Sequence, residues 1–240
     1  MIELIAISLL TVLAAAVGTL TGFGTSTIMV PVLLFFFPIG ETLLLVGIIH
    51  WFGNVWKVIL FRSGIRWRLV LTFGVPGAVL SYIGARLTFQ VPDAILSQAV
   101  GAALIGYVVF LAWKPALKVP QTDFTAILGG AFSGFIAGIS GIGGVIRGAS
   151  LSVFNLPKAV YLFTGGVIGL LIDGVRVATY AAGGTQLSTI FLWGLLLFIP
   201  ASFIGAKLGK RMVKRVSDTQ FRWIIALLLC IVGTKLLVFP

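Results

Sequence analysis

Long apolar stretches separated by short polar ones run through the whole chain. The first half holds five of them, at residues 3–22, 25–37, 41–61, 69–89 and 93–113. The second half holds five more, at residues 124–141, 145–156, 158–181, 188–209 and 219–239. All but two contain about 20 residues, which is the length that an α-helix needs to cross the core of a bilayer. The pattern therefore predicts an all-α polytopic membrane protein.

The second stretch of each half is too short to cross a bilayer. Residues 25–37 and 145–156 form segments of about a dozen residues, against the roughly 20 that a spanning helix needs. A half-helix, a re-entrant arm and a steeply placed short helix all fit this length. We expect Pro38 and Pro157 to end the two short helices, because proline cannot continue a helix without losing a hydrogen bond. Each half is thus predicted to contain four long helices and one short or broken segment near its start.

The two halves repeat each other. A glycine cluster near the start of the first half returns near the start of the second, and later residues keep almost the same register. The matched positions are Gly22-Phe23-Gly24 with Gly141-Ile142-Gly143-Gly144, Pro38 with Pro157, Gly47 with Gly166, Asn54 with Asp173, Lys57 with Arg176, and residues 83–87 with residues 204–208. Similar halves that are each interrupted by glycines are typical of secondary transporters. We expect repeats at residues 1–115 and 123–240, joined by a linker at residues 116–122.

The basic residues between the apolar stretches predict how the chain is oriented. The loop after the third stretch carries three arginines in the first half, whereas its counterpart at residues 180–189 carries no charge. The loop after the fourth stretch reverses this bias, since Arg86 is balanced by Asp93 in the first half and the second half has five cations. These basic residues are Arg62, Arg66 and Arg68, and Lys207, Lys210, Arg211, Lys214 and Arg215. Basic loops stay in the cytoplasm, so we predict two inverted-topology repeats, a cytoplasmic linker and both termini outside.

Composition favours lipid as the solvent and excludes several other classes of protein. Hydrophobic residues make up 59% of the chain and charged residues 10%, whereas soluble domains carry about 25% charged residues. The formal net charge is +11, but most cations lie between apolar stretches rather than in a nucleic-acid-binding patch. Cys230 is the only cysteine, which excludes an intrachain disulfide and a cysteine metal cluster. We expect no metal, no cofactor and no nucleic-acid partner.

The two glycine clusters are the first candidates for a binding site. They comprise Gly22, Gly24, Thr25 and Ser26 in the first half, and Gly141, Gly143 and Gly144 in the second. Irregular backbone at membrane depth is tolerated only inside the protein or beside a wet cavity. A helix that restarts there presents free N–H groups and its positive dipole end to an anion. Two such ends meeting near the midplane predict a cradle for an oxyanion.

The alternative role for glycine is close helix packing without a ligand. We expect packing at Gly18-x-x-x-Gly22, Gly134-x-x-x-Gly138 and Gly205-x-x-x-Gly209, because small residues spaced by four allow two helix backbones to approach.

Arg147 is the strongest single candidate for a residue that binds the anion. It stands three residues after Gly144 inside an otherwise apolar segment. An arginine within the membrane is costly and by default indicates a functional site. Its planar guanidinium can bind two oxygens of one sulfite or sulfonate group. In the alternative interpretation the short segment ends near an interface, and the side chain snorkels to water there.

Five further residues are candidates for coupling or gating. Asp173 is the only carboxylate deep in a predicted span, and Arg176 lies three residues later on the same helix face. Asn54 and Lys57 are their counterparts in the first half. His50, the only histidine, can titrate near physiological pH and couple proton movement to anion flux, or it can be a neutral, hydrogen-bonded packing residue. The charged pair can likewise be a structural pair near a helix end.

The repeated G-x-G, the later prolines and the I-G-A-[RK]-L repeats resemble the TauE/SafE sulfite exporter family over nearly the whole chain. The resemblance implies transport of small anions, among them sulfite and organosulfonates, across the bacterial inner membrane. The chain departs from a symmetric motif at Thr25, which stands where the second half has Gly144. We therefore predict a secondary transporter, an exporter by resemblance, that works by alternating access in a bacterial or archaeal cytoplasmic membrane. Proton coupling and oligomeric state stay open.

Three other functions compete with transport. An anion channel would use the same cradle but would show flux without saturation or coupling to a gradient. An intramembrane enzyme is less economical, because the chain has no HExxH, no GxSxG and no cluster of carboxylates. A non-transporting assembly partner would be expected to carry long soluble loops or tails, and this chain has almost none.

The predicted orientation can be tested with reporters. We expect alkaline phosphatase fused after Pro240 to be active and a green fluorescent protein at the same position to be dark, because the C-terminus is predicted to lie outside. The same reporters fused after Lys118 are the control and should give the opposite result. A C-terminal reporter active in the cytoplasm would refute the topology.

Overall fold

The computed structural model describes residues 2–62, 64–113, 120–212, 230–231 and 233–238, and no strand occurs among them. The helices are α1 (Ile2–Thr21), α2 (Ser26–Leu33), α3 (Ile39–Leu60), α4 (Trp67–Leu69), α5 (Val75–Leu87), α6 (Asp93–Trp113), α7 (Asp123–Ser140), α8 (Gly143–Ser152), α9 (Lys158–Ala182) and α10 (Thr189–Met212). A π-helical turn, Val70–Gly74, joins α4 to α5. Of the predicted stretch 219–239, residues 230–231 and 233–238 are helical, and the others lie outside the described residues.

Six helices in the described part of the chain are long and apolar enough to cross a membrane. They are Ile2–Thr21, Ile39–Leu60, Trp67–Leu87, Asp123–Ser140, Lys158–Ala182 and Thr189–Met212. Large apolar side chains cover their outer faces, as on α10, where Leu192, Trp193, Leu196 and Leu197 are exposed. Such faces are stable only against lipid. The prediction of an all-α polytopic membrane protein is confirmed.

The two short helices are arms that turn back along the helix before them. In the first half, the Thr11 hydroxyl of α1 lies 3.7 Å from the Met29 sulfur of α2. In the second half, the Ser133 hydroxyl of α7 donates to the Gly143 carbonyl at 2.9 Å, and α8 then runs back towards the start of α7. Each short helix thus folds back on the helix before it, as the re-entrant arm among the three predicted arrangements would, and where these arms lie in the membrane stays a prediction.

The two prolines do not end the short helices. Because α2 ends at Leu33 and α8 at Ser152, several residues separate each arm from the proline that follows. Pro38 and Pro157 instead cap the starts of α3 and α9. Proline suits a helix start, where its missing N–H has no partner to lose. The predicted role of these prolines was wrong, although their place between the segments was right.

Glycines allow two helix pairs to pack with their backbones in contact. A Cβ added at Gly134 of α7 would overlap the Gly77 carbonyl oxygen of α5. A Cβ at Gly205 of α10 would likewise overlap the Val12 carbonyl oxygen of α1, and the glycine four residues later in each helix is equally close to backbone. The predicted packing role of these two small-residue motifs is confirmed.

The helix contacts are reciprocal between the halves. The first long helix of each half, α1 or α7, packs against the third long helix of the other, α10 or α5. The second long helices, α3 and α9, run antiparallel, because the start of α3 meets the end of α9 at Gly40 and Thr185, while Asn54 meets Gly166. This exchange of partners is what two inverted repeats would produce, and the orientation in the membrane stays a prediction.

Gly134→Ala tests the close packing of α5 and α7. Alanine favours an isolated helix by about 1 kcal/mol over glycine, yet here its methyl group would overlap backbone. We expect destabilisation of about 2 kcal/mol, seen as a lower melting temperature of the detergent-purified protein. Gly106→Ala is the matched control, because a Cβ there meets nothing within 4 Å. Equal melting temperatures for the two variants would contradict this packing.

Candidate functional site

A buried cluster of charged side chains lies where α3, α8 and α9 meet. Lys57, Arg147, Asp173 and Arg176 have exposed fractions of only 4%, 2%, 2% and 0%. His50 and Asn54 are buried beside them. The structure thus brings together all five residues predicted for coupling or gating and places Arg147 among them. Because Arg147 is buried, the interpretation that it snorkels at an interface is wrong.

The Asp173 carboxylate is the centre of this cluster. Its Oδ1 accepts from Arg176 Nε at 2.8 Å, and its Oδ2 accepts from Asn54 Nδ2 at 2.8 Å. Arg147 Nη1 donates to Oδ2 over a longer 3.5 Å, and His50 Nε2 lies 3.2 Å from the same oxygen. One carboxylate therefore joins α3, α8 and α9. Its central position within α9 also argues against a merely local pair at a helix end.

His50 connects this carboxylate to the first re-entrant arm. The backbone N–H of Ser26 donates to His50 Nδ1 at 3.0 Å. Since Nδ1 accepts, hydrogen-bond complementarity assigns the proton of a neutral ring to Nε2, which faces Asp173 Oδ2. Arg147 Nη2 lies 3.2 Å from the same Nε2, and because a guanidinium can only donate, this contact is not a hydrogen bond while Nε2 carries the proton. His50 is therefore hydrogen-bonded at both nitrogens in this conformation. A coupling role would require it to change partners.

Asn54 links Lys57 to the same carboxylate. The Lys57 ammonium donates to Asn54 Oδ1 at 3.2 Å, while the other end of the amide donates to Asp173. Asn54 corresponds to Asp173 in the repeated sequence and Lys57 to Arg176. The pair on α3, Asn54 and Lys57, thus faces the pair on α9, Asp173 and Arg176. Both residues of the α9 pair are charged, whereas the α3 pair has a neutral amide at Asn54.

The cluster carries more positive than negative charge. Lys57, Arg147 and Arg176 face the single carboxylate of Asp173, so the buried groups that the structure describes carry a formal excess of two positive charges. Burying unpaired charge in a low-dielectric region costs several kcal/mol per ion. A charge excess of this sign is electrostatically suited to an anion rather than to a cation.

The tips of the two arms meet beside the cluster. A Cβ added at Gly144 would overlap the Phe23 carbonyl oxygen, and one at Gly24 would overlap the His50 ring. Gly22 and Gly24 also have φ of +81° and +94°, in the region that favours glycine. Glycine is therefore required at this crossing both for close approach and for backbone conformation.

The remaining predicted site residues are near the tips, but they do not form an empty cradle. The first N–H of α2, at Ser26, is already bound to His50. Gly143 packs against the backbone of α7, and Gly141 is the left-handed cap of that helix with φ of +74°. Thr25 is buried against Gly53 of α3. The charged side chains therefore dominate the site in this conformation.

Two cavities lie at opposite ends of the α3–α9 pair. One, about 10 Å³, is lined by Lys57, Arg147, Gly22 and Tyr161, and it has room for about one water molecule. The other, about 140 Å³, is lined by Ile39, Gly40, Leu43, Thr88, Phe89, Tyr180 and Thr185. The cations of the first cavity are thus closed off from bulk solvent in this structure.

Sequence reasoning missed two tyrosines of α9. The Tyr161 hydroxyl donates to the Gly148 carbonyl at 3.1 Å and the ring covers Gly22, while Tyr180 donates to the Gly138 carbonyl. Tyr180 stands seven residues after Asp173 and Tyr161 twelve before it. Helical periodicity from Asp173 places Tyr180 on the same face, so that signal could have found it.

Comparison with known proteins agrees with this architecture. The chain is 25% identical over 246 residues to "probable membrane transporter protein MJ0441" of Methanocaldococcus jannaschii, covering 92% of this chain and 90% of the relative. It is also 25% identical over 183 residues to "probable membrane transporter protein y4hK" of Sinorhizobium fredii, covering 72% of each chain. The family model described as "Sulfite exporter TauE/SafE" matches residues 7–236. This multi-pass membrane protein belongs to the TauE/SafE sulfite exporter family, a family of membrane transporters rather than enzymes.

Proposed function

We propose that this protein is a secondary transporter that exports a small anion, such as sulfite or an organosulfonate, from a bacterial or archaeal cell. The observation that carries the proposal is the buried excess of two positive charges around Asp173. A bound anion supplies the missing negative charge, and a doubly charged one would balance it completely. Sulfite near neutral pH is a mixture of singly and doubly charged forms, so it fits this requirement.

Arg147 and Lys57 are the proposed substrate ligands. Both line the small cavity, where the planar guanidinium of Arg147 and the compact ammonium of Lys57 come together. The 3.5 Å separation of Arg147 from Asp173 is long for a charge-assisted hydrogen bond, which is usually about 2.7–2.9 Å. An oxyanion can replace this weak bond with a bidentate one. The buried Ser26 hydroxyl, which has no hydrogen-bond partner among the described residues, is a further donor near the cluster.

The small size of the cavity supports alternating access. A volume of about 10 Å³ does not admit a sulfite ion, so binding requires the protein to open. The re-entrant arms are suited to such movement, because each is short and is joined to the preceding helix through glycines with positive φ. We infer that rearrangement of α2 and α8 relative to α3 and α9 opens the site to one side at a time.

Proton coupling would use the same network. Protonating His50 at Nδ1 would break its bond from the Ser26 N–H and so release the start of α2. Protonating Asp173 would weaken its bonds to Arg147 and Arg176. Either event links a proton to an arm that borders the substrate site. Export, rather than uptake, is supported by the family description alone.

Anion flux in proteoliposomes tests the proposed function. The panel is sulfite, sulfate, thiosulfate, an organosulfonate and chloride, and we expect saturable flux for a sulfur oxyanion or sulfonate. Arg147→Ala should raise the half-saturating concentration at least about tenfold, because it removes a bidentate anion ligand. Arg86→Ala is the matched control, since it removes the same charge from an exposed position outside the cluster.

The possible failures of this experiment differ from one another. Flux that does not saturate would favour an anion channel. Silence for every anion, from wild-type protein shown to be folded, would contradict the substrate class and direct the search to carboxylates. Unchanged half-saturation in Arg147→Ala would remove this residue from the site while leaving transport intact.

Asp173→Asn tests whether an anion balances the buried charge. The substitution leaves three cations without a carboxylate, so we expect a lower melting temperature in buffer with a large, non-fitting anion. Millimolar sulfite should raise that melting temperature more than it raises the wild-type value, because ligand that binds only the folded state stabilises it. Asp123→Asn, which removes an exposed partner of Arg68, should show no such rescue. Equal rescue in both variants would argue against an anion site here.

A further inference from the structure

The guanidinium of Arg176 is only partly used. Its Nε donates to Asp173 at 2.8 Å, but Nη1 and Nη2 are buried and make no hydrogen bond to the described residues. Buried charged donors without acceptors are costly, and they are rare in native proteins. Arg176 is completely buried, so bulk water does not satisfy these donors. The two Nη atoms carry four N–H groups, more than the neighbouring Tyr180 hydroxyl oxygen can accept, so they require a further acceptor that this conformation lacks.

On the side of α3 and α7, the Arg176 guanidinium lies next to glycines, which have no side chain. A Cβ added at Gly141 would lie 3.2 Å from Nη1, and one added at Gly47 would lie 3.5 Å from it. Gly141 corresponds to Gly22 in the repeat, and Gly22 lines the small cavity next to Lys57. A cation beside the glycine that ends a long helix thus occurs once in each half.

A larger cavity begins one side chain away from Arg176. The Tyr180 hydroxyl lies beside the guanidinium, where its oxygen can accept from Arg176 while its O–H donates to the Gly138 carbonyl. The same residue lines the cavity of about 140 Å³. Leu43, which packs against Gly141, forms the adjoining wall. Tyr180 and Leu43 therefore separate the unpartnered nitrogens from a space that admits a small oxyanion.

This cavity is far from the proposed substrate ligands. On α3 it reaches Leu43, whereas the small cavity reaches Lys57. Fourteen residues of α-helix correspond to about 21 Å. Asp173 stands between the two ends and uses different oxygens for them, Oδ1 for Arg176 and Oδ2 for Arg147.

We propose that the protein has a second anion-binding site at Arg176, entered from the cavity of Tyr180 and Thr185, which takes the same class of small oxyanion as the Arg147–Lys57 site. This inference rests on the proposed transport function and deepens it. The unpartnered Nη atoms bind the anion once Tyr180 and Leu43 move apart. Two sites at opposite ends of α3 and α9 then mark the two sides from which the substrate reaches the cluster.

Asp173 acts between the two sites as a resident counter-ion. An anion on the Nη atoms of Arg176 shares the positive charge of that guanidinium with Oδ1, and an anion on Arg147 competes with Oδ2 for its donor. Weakening the bond of the carboxylate to one arginine lets it pair more closely with the other. The transported anion and Asp173 thus exchange arginine partners, so neither arginine is left without a negative partner during the transfer.

Thiol modification in the larger cavity tests the second site. Thr185→Cys in a Cys230→Ser background places one thiol at the cavity wall of the purified full-length protein. Its reaction is compared between anionic sulfonatoethyl and cationic trimethylammonioethyl methanethiosulfonates. We expect the anionic reagent to be favoured and methanesulfonate or sulfate to slow it; sulfite is not used because it attacks the reagent. Arg176→Gln should lower the preference about tenfold, as expected for one charge nearby, and should abolish protection.

Two further variants separate charge from geometry. Arg176→Lys keeps the charge but loses the planar fork, so the reagent preference should persist while protection weakens. It also serves if Arg176→Gln elutes as aggregate. Lys207→Gln, which removes an exposed cation from α10 near the opposite end of α3, is the control and should change neither measurement. Equal reaction with both reagents in the protein with native Arg176, or protection that survives Arg176→Gln, would overturn the second site.

Anion flux measured on the same preparation distinguishes this inference from the proposed function. Arg176-dependent protection without any flux would support the second site and contradict transport. Saturable flux without Arg176-dependent protection would support transport and overturn the second site.

Discussion

The buried carboxylate of Asp173 is the interaction on which the rest of the site depends. It binds one arginine through each oxygen and also contacts Asn54 and His50, so that α3, α8 and α9 share one acceptor. Without this carboxylate, the donors would be buried in lipid or protein interior with no negative charge beside them, which is energetically costly. The three helices are therefore tied together by electrostatics at their centre, whereas apolar packing holds their outer parts.

Close backbone approach is the second constraint, and it makes the first possible. Glycine at positions 24 and 144 lets the two arms cross beside His50, and this crossing brings Ser26 within hydrogen-bond distance of the ring. Any side chain at those positions would push the arms apart. The hydrogen-bond network around Asp173 therefore depends on the glycine breaks, and a movement of the arms would change the hydrogen bonds of this network.

Features that depend on local sequence could be predicted from the sequence. The hydrogen-bond partner of each buried side chain could not. Apolar length located the helices, and an arginine in an apolar segment singled out Arg147. Register between the halves matched Asn54 with Asp173, but it did not show that their side chains would bond to each other. The partner of His50 is a backbone N–H of an arm whose course depends on two glycine conformations. No residue-by-residue pattern encodes that contact.

In the proposed transport cycle, the formal charge of the cluster would constrain the conformational change as well as the ligand. With Asp173 as the one carboxylate, the empty site retains an excess of two positive charges, and a bound dianion removes it. Because desolvating unbalanced charge is what makes a closed state costly, the loaded site closes more easily than the empty one. The resident carboxylate lowers that difference without abolishing it, since it neutralises one cation whichever arginine it favours. In the proposed cycle such a carrier would change its accessible side more readily with anion bound, so electrostatics would contribute to coupling conformational change to substrate.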